Sequence, residues 1–288
     1  MSLPITALFC CLDDFCRIYE EWERHGLLGN SRRRRREGKL ALSEMLFIMV
    51  LFPASPFKDF KSFYRHGVCG LYRGCFRETP VYERFVALMP RLLVPMAVLL
   101  YSLRGEETGI YFADSTSLAV CHNRRINRNR VFKGMAARGK TSMGWFYGLK
   151  LHLIINHKGE IMAVKITSGN KSDSAALGGL AGLLQGKLYA DKGYIGKALF
   201  RKLWRKGLQL ITGIRRNMKN YLMPWLDKIM LRRRFIIETV FDNLKSSMGL
   251  EHTRHRSPVN AIVHILACLI AYCFKPNKPA VNMKVAYA

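Results

Sequence analysis

Residues 147–170 read YGLKLHLIINHKGEIMAVKITSGN. Leu149, Leu151, Leu153 and Ile155 recur at every second position, with Lys150 and His152 between them. That alternation belongs to a β-strand with one apolar face. Residues 156–159 supply polar turn chemistry ending in glycine, and a second β-branched run follows, so the stretch predicts a hairpin. Upstream, GIYFAD (109–114) is a short strand ending on Asp114. Downstream, SDSAALGGLAGLLQG reads as a helix opening near Ser172, and KLYAD (187–191) as a strand ending on Asp191. GKALFRKLWRKG is a helix closed by Gly207, LQLITGI a further strand, and about 232–248 a longer helix. Strand, hairpin, helix, strand, helix, strand, helix is the order of an α/β fold, a mixed sheet with flanking helices.

The first hundred residues have a different texture. Ser43 precedes EMLFIMVLF, Ser55-Pro56 precedes FKDFKSFYRHG and Thr79-Pro80 precedes VYERFVALM. Ser or Thr as a cap with Pro next to it is a helix start signal. Before them Arg32–Arg36 form an unbroken arginine run, which suits a solvated loop or an arm on phosphates. Short helices beside a basic loop suit a helix-turn-helix module, without a turn signature that proves one. The reading divides the chain into a helical N-terminal DNA-binding region (1–105), an α/β domain (106–275) and a flexible C-terminal tail (276–288).

Charge narrows the partners. With 47 Lys+Arg against 20 Asp+Glu, the net charge of +27 favours a polyanion, either nucleic acid or an anionic membrane surface. Residues 92–101 carry Pro95, and residues 261–274 fall short of the roughly 20 residues a spanning helix needs. Both read as core helices, so no membrane span is expected. The N-terminus lacks a basic leader. The eight cysteines have no paired metal-ligand spacing, and a reduced, cytoplasmic, nucleoid-associated protein is the expectation.

In so basic a chain the acids are informative. Between residues 108 and 250 they are Asp114, Glu160, Asp173, Asp191, Asp227, Glu238 and Asp242. Glu160 falls in the hairpin turn, Asp173 at a helix start and Asp227 in an irregular segment. Asp114 and Asp191 end strands, where the loops of α/β sheets gather ligands. In the last helix Ile237, Val240, Phe241, Leu244 and Met248 form an apolar face. Arg234, Glu238 and Lys245 fall within roughly 40° of one another on its border. Asp242 lies further round. An ordinary exposed helix with an Arg234–Glu238 ion pair is equally compatible with that spacing. Three carboxylates suit phosphodiester cleavage, because two Mg²⁺ or Mn²⁺ ions activate the attacking hydroxyl and stabilise the departing oxygen. Arg234 and Lys245 are then placed to touch phosphates. Arg124, Arg125, Arg128 and Arg130, with Lys133, Arg138 and Lys140, form a basic stretch leading into Trp145, Phe146 and Tyr147. Such a stretch suits a DNA-backbone groove, with the aromatics read as core. His122 and His152 read as structural, and Tyr194 as packing.

FADST around Asp114, YGLKLHLIIN, SGNKSD, ADKGY around Asp191 and RRRFIIETVFDNLKS around Glu238 occur in this order. Together they resemble the DDE transposases of bacterial insertion sequences, of insertion-sequence-982 type, over about residues 40–275. Where the related pattern often has tyrosine three residues before its arginine, this chain has Leu231. The resemblance implies an RNase-H-like domain in which Asp114, Asp191 and Glu238 are catalytic and bind two Mg²⁺ (or Mn²⁺) ions. It implies DNA partners, namely the element's terminal inverted repeats and target DNA, and a homodimer that brings two ends together. The reaction implied is cleavage at element ends and joining of the 3′-hydroxyl to target DNA. Two other readings stay open: a nuclease of the same fold without strand joining, and a catalytically silent DNA-binding protein derived from a transposase.

Overall fold

The structure is a computed structural model, and it describes residues 4–26, 38–141, 144–182, 184–218, 222–252 and 254–282. The Arg32–Arg36 run lies outside the described residues. In chain order the helices are α1 Ile5–Arg24, α2 Leu42–Ala54, the single turn α3 Phe60–Ser62, α4 Tyr82–Leu88, α5 Leu93–Ser102, α6 Asp173–Leu180, α7 Lys197–Trp204, α8 Trp225–Arg233, α9 Ile236–Asp242 and α10 Pro258–Cys273. The strands are β1 Ile110–Cys121, β2 Ala137–Thr141, β3 Gly144–Asn156, β4 Ile161–Ser168, β5 Gly186–Ala190 and β6 Leu208–Thr212.

The chain divides into two units. The first comprises the chain up to Ser102 with Ser247–Leu250 and Ser257–Pro276; the second comprises Leu103–Ser246, Glu251–Arg256 and the chain from Asn277 on.

The first unit is helical. In α1, Leu8, Leu12, Cys16 and Tyr19 fall on one buried stripe. Beyond Glu44, α2 is apolar all round and buried from Met45 to Pro53, as a core helix must be. Its start is held by Glu44, whose carboxylate accepts from the Ala41 N–H at 2.7 Å. α2 therefore begins one residue before Ser43, and Ser43 itself is buried. The Ser55-Pro56 and Thr79-Pro80 signals also miss: α3 starts at Phe60, capped by Asp59 on the Ser62 N–H, and α4 starts at Tyr82 after Val81. Apolar packing of Phe60, Phe63, Tyr64, Tyr82 and Phe85 places those starts. α10 is capped by Ser257, which accepts from the Asn260 N–H, and begins at Pro258. It packs on α2 and α5 and so belongs with this unit, whereas a division at 275 keeps it with the strands. Residues Tyr82–Ser102 form one helical stretch of 21 residues that is long and apolar enough to cross a membrane by length and composition, where the sequence reading expected none. Phe85, Met89, Leu92, Met96 and Leu99 along it are buried in the unit's core, as in a core helix.

The second unit is built on a six-stranded sheet ordered β2-β3-β1-β5-β6, with β4 also paired to β3. β1, β3 and β4 run antiparallel; β5 and β6 run parallel to β1. β3 meets β1 along one edge, and its other edge is shared by β2 (Gly144–Gly148) and β4 (Leu149–Ile155). This is the mixed, RNase-H-like sheet expected. The hairpin turn depends on Gly159 at φ 74°, a left-handed conformation that costs glycine little. Gly148 is needed for room: a Cβ there would lie 1.9 Å from the Leu118 carbonyl oxygen.

α6 and α7 cover one face, with Leu177, Ala181, Leu199 and Leu203 packed on Tyr111, Ala113, Ile154, Leu188 and Leu210. α8 and α9 lie against β5, β6 and β1. Helices thus flank the sheet, which accounts for the unbroken burial of Leu151–Asn156 in β3. The C-terminal segment corrects the flexible-tail expectation as far as Asn282. Val281 is buried and its N–H donates to the His157 carbonyl at 2.8 Å, beside the hairpin turn.

Candidate active site

β1 and β5 pair in parallel from Ile110↔Lys187 to Ala113↔Ala190. The next residue on each strand is a carboxylate: Asp114 on β1 and Asp191 just past the end of β5. Asp114 does not end its strand as the sequence suggested, because β1 continues to Cys121 in antiparallel pairing with β3. Asp191 opens a turn in which the Tyr194 N–H donates to the Asp191 carbonyl at 3.0 Å. The Tyr194 ring is buried, which anchors that turn.

The third carboxylate comes from the last helical segment, which is not the continuous helix expected over 232–248. α8 ends at Arg233 and α9 begins at Ile236, with Arg234 and Phe235 between them and a π-helical stretch, Asn243–Ser247, after α9. Two anchors set this geometry. Asp227, expected in an irregular segment, lies buried in α8 and accepts from Lys187 Nζ at 2.8 Å and from the Tyr189 hydroxyl at 2.7 Å, both on β5. Ile236, Ile237, Val240 and Phe241 bury the inner face of α9. Glu238 is left on the border of that face, about 59% exposed.

Arg234 joins the three acids. Its Nη1 donates to Asp114 Oδ2 at 2.9 Å, while its Nη2 lies 3.3 Å from Glu238 Oε1 and 3.8 Å from Asp191 Oδ1. The arginine read from sequence as a phosphate contact therefore points inward, only 20% exposed. Asp114 is the most enclosed of the three acids. Burial, with the like charges of Asp191 and Glu238, pushes its carboxyl up to about 6 against the opposing pull of the Ser115 N–H and Arg234.

Among the described residues, no three His, Cys, Asp or Glu side chains are arranged to hold a metal ion as they stand. The donor set nevertheless has the chemistry for one. Three hard carboxylates face a single cationic group, leaving two negative charges unmatched, which suits a divalent ion with oxygen ligands.

Behind the acids lies a network that the sequence reading missed by treating Asp173 as an ordinary helix start. Asp173 Oδ1 accepts from Ser115 Oγ at 2.7 Å and Lys150 Nζ at 3.1 Å, and lies 3.8 Å from His152 Nδ1. The buried Tyr194 hydroxyl lies beside this cluster, where burial and the charges of Asp114 and Asp173 push its pKa up. Ser115 thus ties β1, next to Asp114, to the start of α6. SGNKSD beside the alternating Lys150 and His152 was the available signal. His152 is structural, as expected: it is buried, Nε2 meets Thr167 Oγ1 at 2.9 Å, and burial pushes its pKa down to about 4.

The remaining candidates lie apart from the carboxylates. Lys245 Nζ donates to the Ser117 carbonyl at 2.8 Å and pairs with Glu251 at 3.2 Å, so it ties the end of the helical segment to β1 rather than facing outward. Asp242 accepts from Ser246 Oγ on the same segment. Arg124, Arg125, Arg128 and Arg130 are exposed, the first three on a short 3₁₀ turn, Asn123–Arg128. Asn123 Nδ2 donates to the Trp145 carbonyl at 2.6 Å, bringing that turn to the β2–β3 ribbon. Trp145 departs from the core role assigned to it: its ring is 52% exposed, with Arg138 4.7 Å and Lys140 5.7 Å from its centroid. Phe146 is buried, as expected.

Comparison with known proteins bears on this geometry. Residues 104–258, more than half of the chain, match the family model described as transposase DDE domain. No curated protein matches the chain. Among solved structures, the cryo-EM structure of a piggyBac transposase synaptic complex with hairpin DNA is similar, with a TM-score of 0.50 and 9% identity. The likeness covers 84% of this chain and 68% of that one, and at this identity it is a likeness of fold.

Proposed function

The chain belongs to the transposase DDE-domain family, and from this premise we propose that it cuts DNA at the ends of an insertion element and joins the freed 3′-hydroxyl to target DNA. The observation that carries the reading is the meeting of Asp114, Asp191 and Glu238 around one guanidinium, from three separate segments. These three side chains are the proposed metal ligands, with Mg²⁺ or Mn²⁺ as the ion and two ions as the stoichiometry. Bound there, the ions supply activation of the attacking hydroxyl and stabilisation of the departing oxygen.

The chain's own residues do the rest. β1 and β5 hold Asp114 and Asp191 side by side, so neither has to be ordered when the site loads. Ser115, Asp173 and Tyr194 restrain the segments that bear them. Arg124, Arg125, Arg128 and Arg130 bind the DNA backbone, with Trp145 beside them as a stacking surface for a base. The helical first unit and the arginine run take part in DNA binding in this reading. The partners are the element's terminal repeats and target DNA, and the DNA in the similar piggyBac complex supports a DNA partner; in this reading two copies of the chain hold the two ends. The subtype is the insertion-sequence-982 type.

The test is a labelled element-end duplex incubated with the protein, Mg²⁺ and a second duplex. The reading expects cleavage and a covalently joined product with wild type, and neither with Asp191→Asn. Cleavage without any joined product reduces the function to that of a nuclease. Equal cleavage by Asp191→Asn or Glu238→Ala contradicts the site.

A further inference from the structure

We propose that Arg234 works in two positions: without metal its guanidinium holds the metal's place among the three carboxylates, and on metal loading it is released to a DNA phosphate. Metal and DNA therefore bind cooperatively through one side chain. This rests on the reading of Asp114, Asp191 and Glu238 as metal ligands.

Geometry makes the two occupants exclusive. The guanidinium nitrogens lie 2.9, 3.3 and 3.8 Å from the three carboxylates, whereas Mg²⁺ draws oxygen ligands to about 2.1 Å. A divalent ion and a guanidinium at one point would also repel. Charge drives the exchange: one positive charge faces three negative ones, and a divalent ion balances them better.

The exchange needs little of the backbone. Asp227 docks α8 on β5, and Ile236, Ile237, Val240 and Phe241 bury α9. Arg234 sits between the two helices, so its side chain can turn while both stay in place. Once out, the guanidinium stands beside a site whose substrate is a phosphodiester, and a phosphate offers it a bidentate partner. The partner it loses to the metal is thus replaced by DNA. By linkage, metal then strengthens DNA binding by the same factor as DNA strengthens metal binding.

Binding measurements separate this from a role in which Arg234 merely templates the carboxylates. Mn²⁺ binding to the DNA-free protein, followed by electron paramagnetic resonance, is expected to be at least about fivefold tighter in Arg234→Gln than in wild type, because the competing state is gone. Duplex affinity, read by fluorescence anisotropy with Ca²⁺ or with chelator, is expected to rise with Ca²⁺ in wild type and to rise less in Arg234→Gln. Should Arg234→Gln not fold, Arg234→Lys loses the fork that spans three carboxylates, and its Mn²⁺ affinity must exceed that of wild type. Mn²⁺ affinity equal to or weaker than wild type in the folded variant overturns the proposal. Asp191→Asn distinguishes the two failures. If it lowers Mn²⁺ binding while Arg234→Gln does not raise it, only the exchange is wrong; if Asp191→Asn leaves Mn²⁺ binding unchanged, the metal reading falls and the exchange with it.

Discussion

Asp114 and Asp191 stand at the same level of neighbouring parallel strands, each one residue beyond the paired Ala113 and Ala190. Two carboxylates held so by a buried sheet repel, and a cation between them makes the arrangement favourable. In the structure that cation is Arg234.

Replacing Asp114 or Asp191 by Asn should therefore separate chemistry from binding. Each variant should keep its circular dichroism spectrum and still bind an element-end duplex in the presence of chelator. Strand cleavage should fall at least ~100-fold, the order seen when metal sites lose supporting groups.

Asp173→Asn and Ser115→Ala test the network behind the acids. The carboxylate of Asp173 collects Ser115 and Lys150, beside the buried Tyr194 hydroxyl. Loosening it should weaken Mn²⁺ binding by roughly 10- to 100-fold, as for other groups that orient ligands, and leave duplex affinity measured with chelator unchanged. A purely structural role would instead lower the melting temperature and spare the Mn²⁺ affinity of the folded fraction.

How far the sequence carried the fold depends on how local each determinant was. The 147–170 hairpin, the Ser172 helix start and the Gly207 closure all appeared, because alternation, an extended residue before a helix and a left-handed glycine act over a few residues. The Ser-Pro and Thr-Pro starts failed, since the packing of Phe60 and Phe85 outweighed the caps. The helix break at Arg234 was not legible either, because it depends on Asp227 reaching Lys187 and Tyr189, about 40 residues away. For the site, scarcity of acid and strand position pointed to Asp114 and Asp191, and the motif resemblance added Glu238; all three face the Arg234 guanidinium. What Arg234 and Lys245 touch comes from tertiary structure spanning more than a hundred residues. Asp173 escaped notice because its helix-start position offered a sufficient local explanation.

His152 predicts a pH dependence of stability. Burial lowers its pKa from the ordinary 6.5 to about 4, with Lys150 and Lys165 adding to the shift and Asp173 opposing it. Between these values the unfolded chain binds more protons than the folded one, so folding stability rises with pH across this window. The contribution is fully present above about pH 6.5 and is lost as pH falls towards 4, by at most ~3 kcal/mol. Urea unfolding of metal-free protein at pH 5 and pH 7.5 should show the difference, and His152→Gln should shrink it.

The exposed ribbon predicts a salt signature. Removing Arg124, Arg125, Arg128 and Arg130 together should flatten the slope of log affinity against log salt by roughly 0.9 for each phosphate no longer neutralised. Trp145→Ala should leave that slope unchanged and weaken binding to duplexes with unpaired bases by ~1–3 kcal/mol. An unchanged slope in the arginine variant would place the DNA elsewhere.

The most direct measurement is anomalous X-ray scattering from crystals of the protein soaked in Mn²⁺. The predicted result is anomalous density within bonding distance of Asp114 and Asp191, with Glu238 on the same site and the Arg234 guanidinium displaced from it. Saturating Mn²⁺ with no density at these carboxylates, or density only at other side chains, would contradict a metal-dependent centre built from Asp114, Asp191 and Glu238.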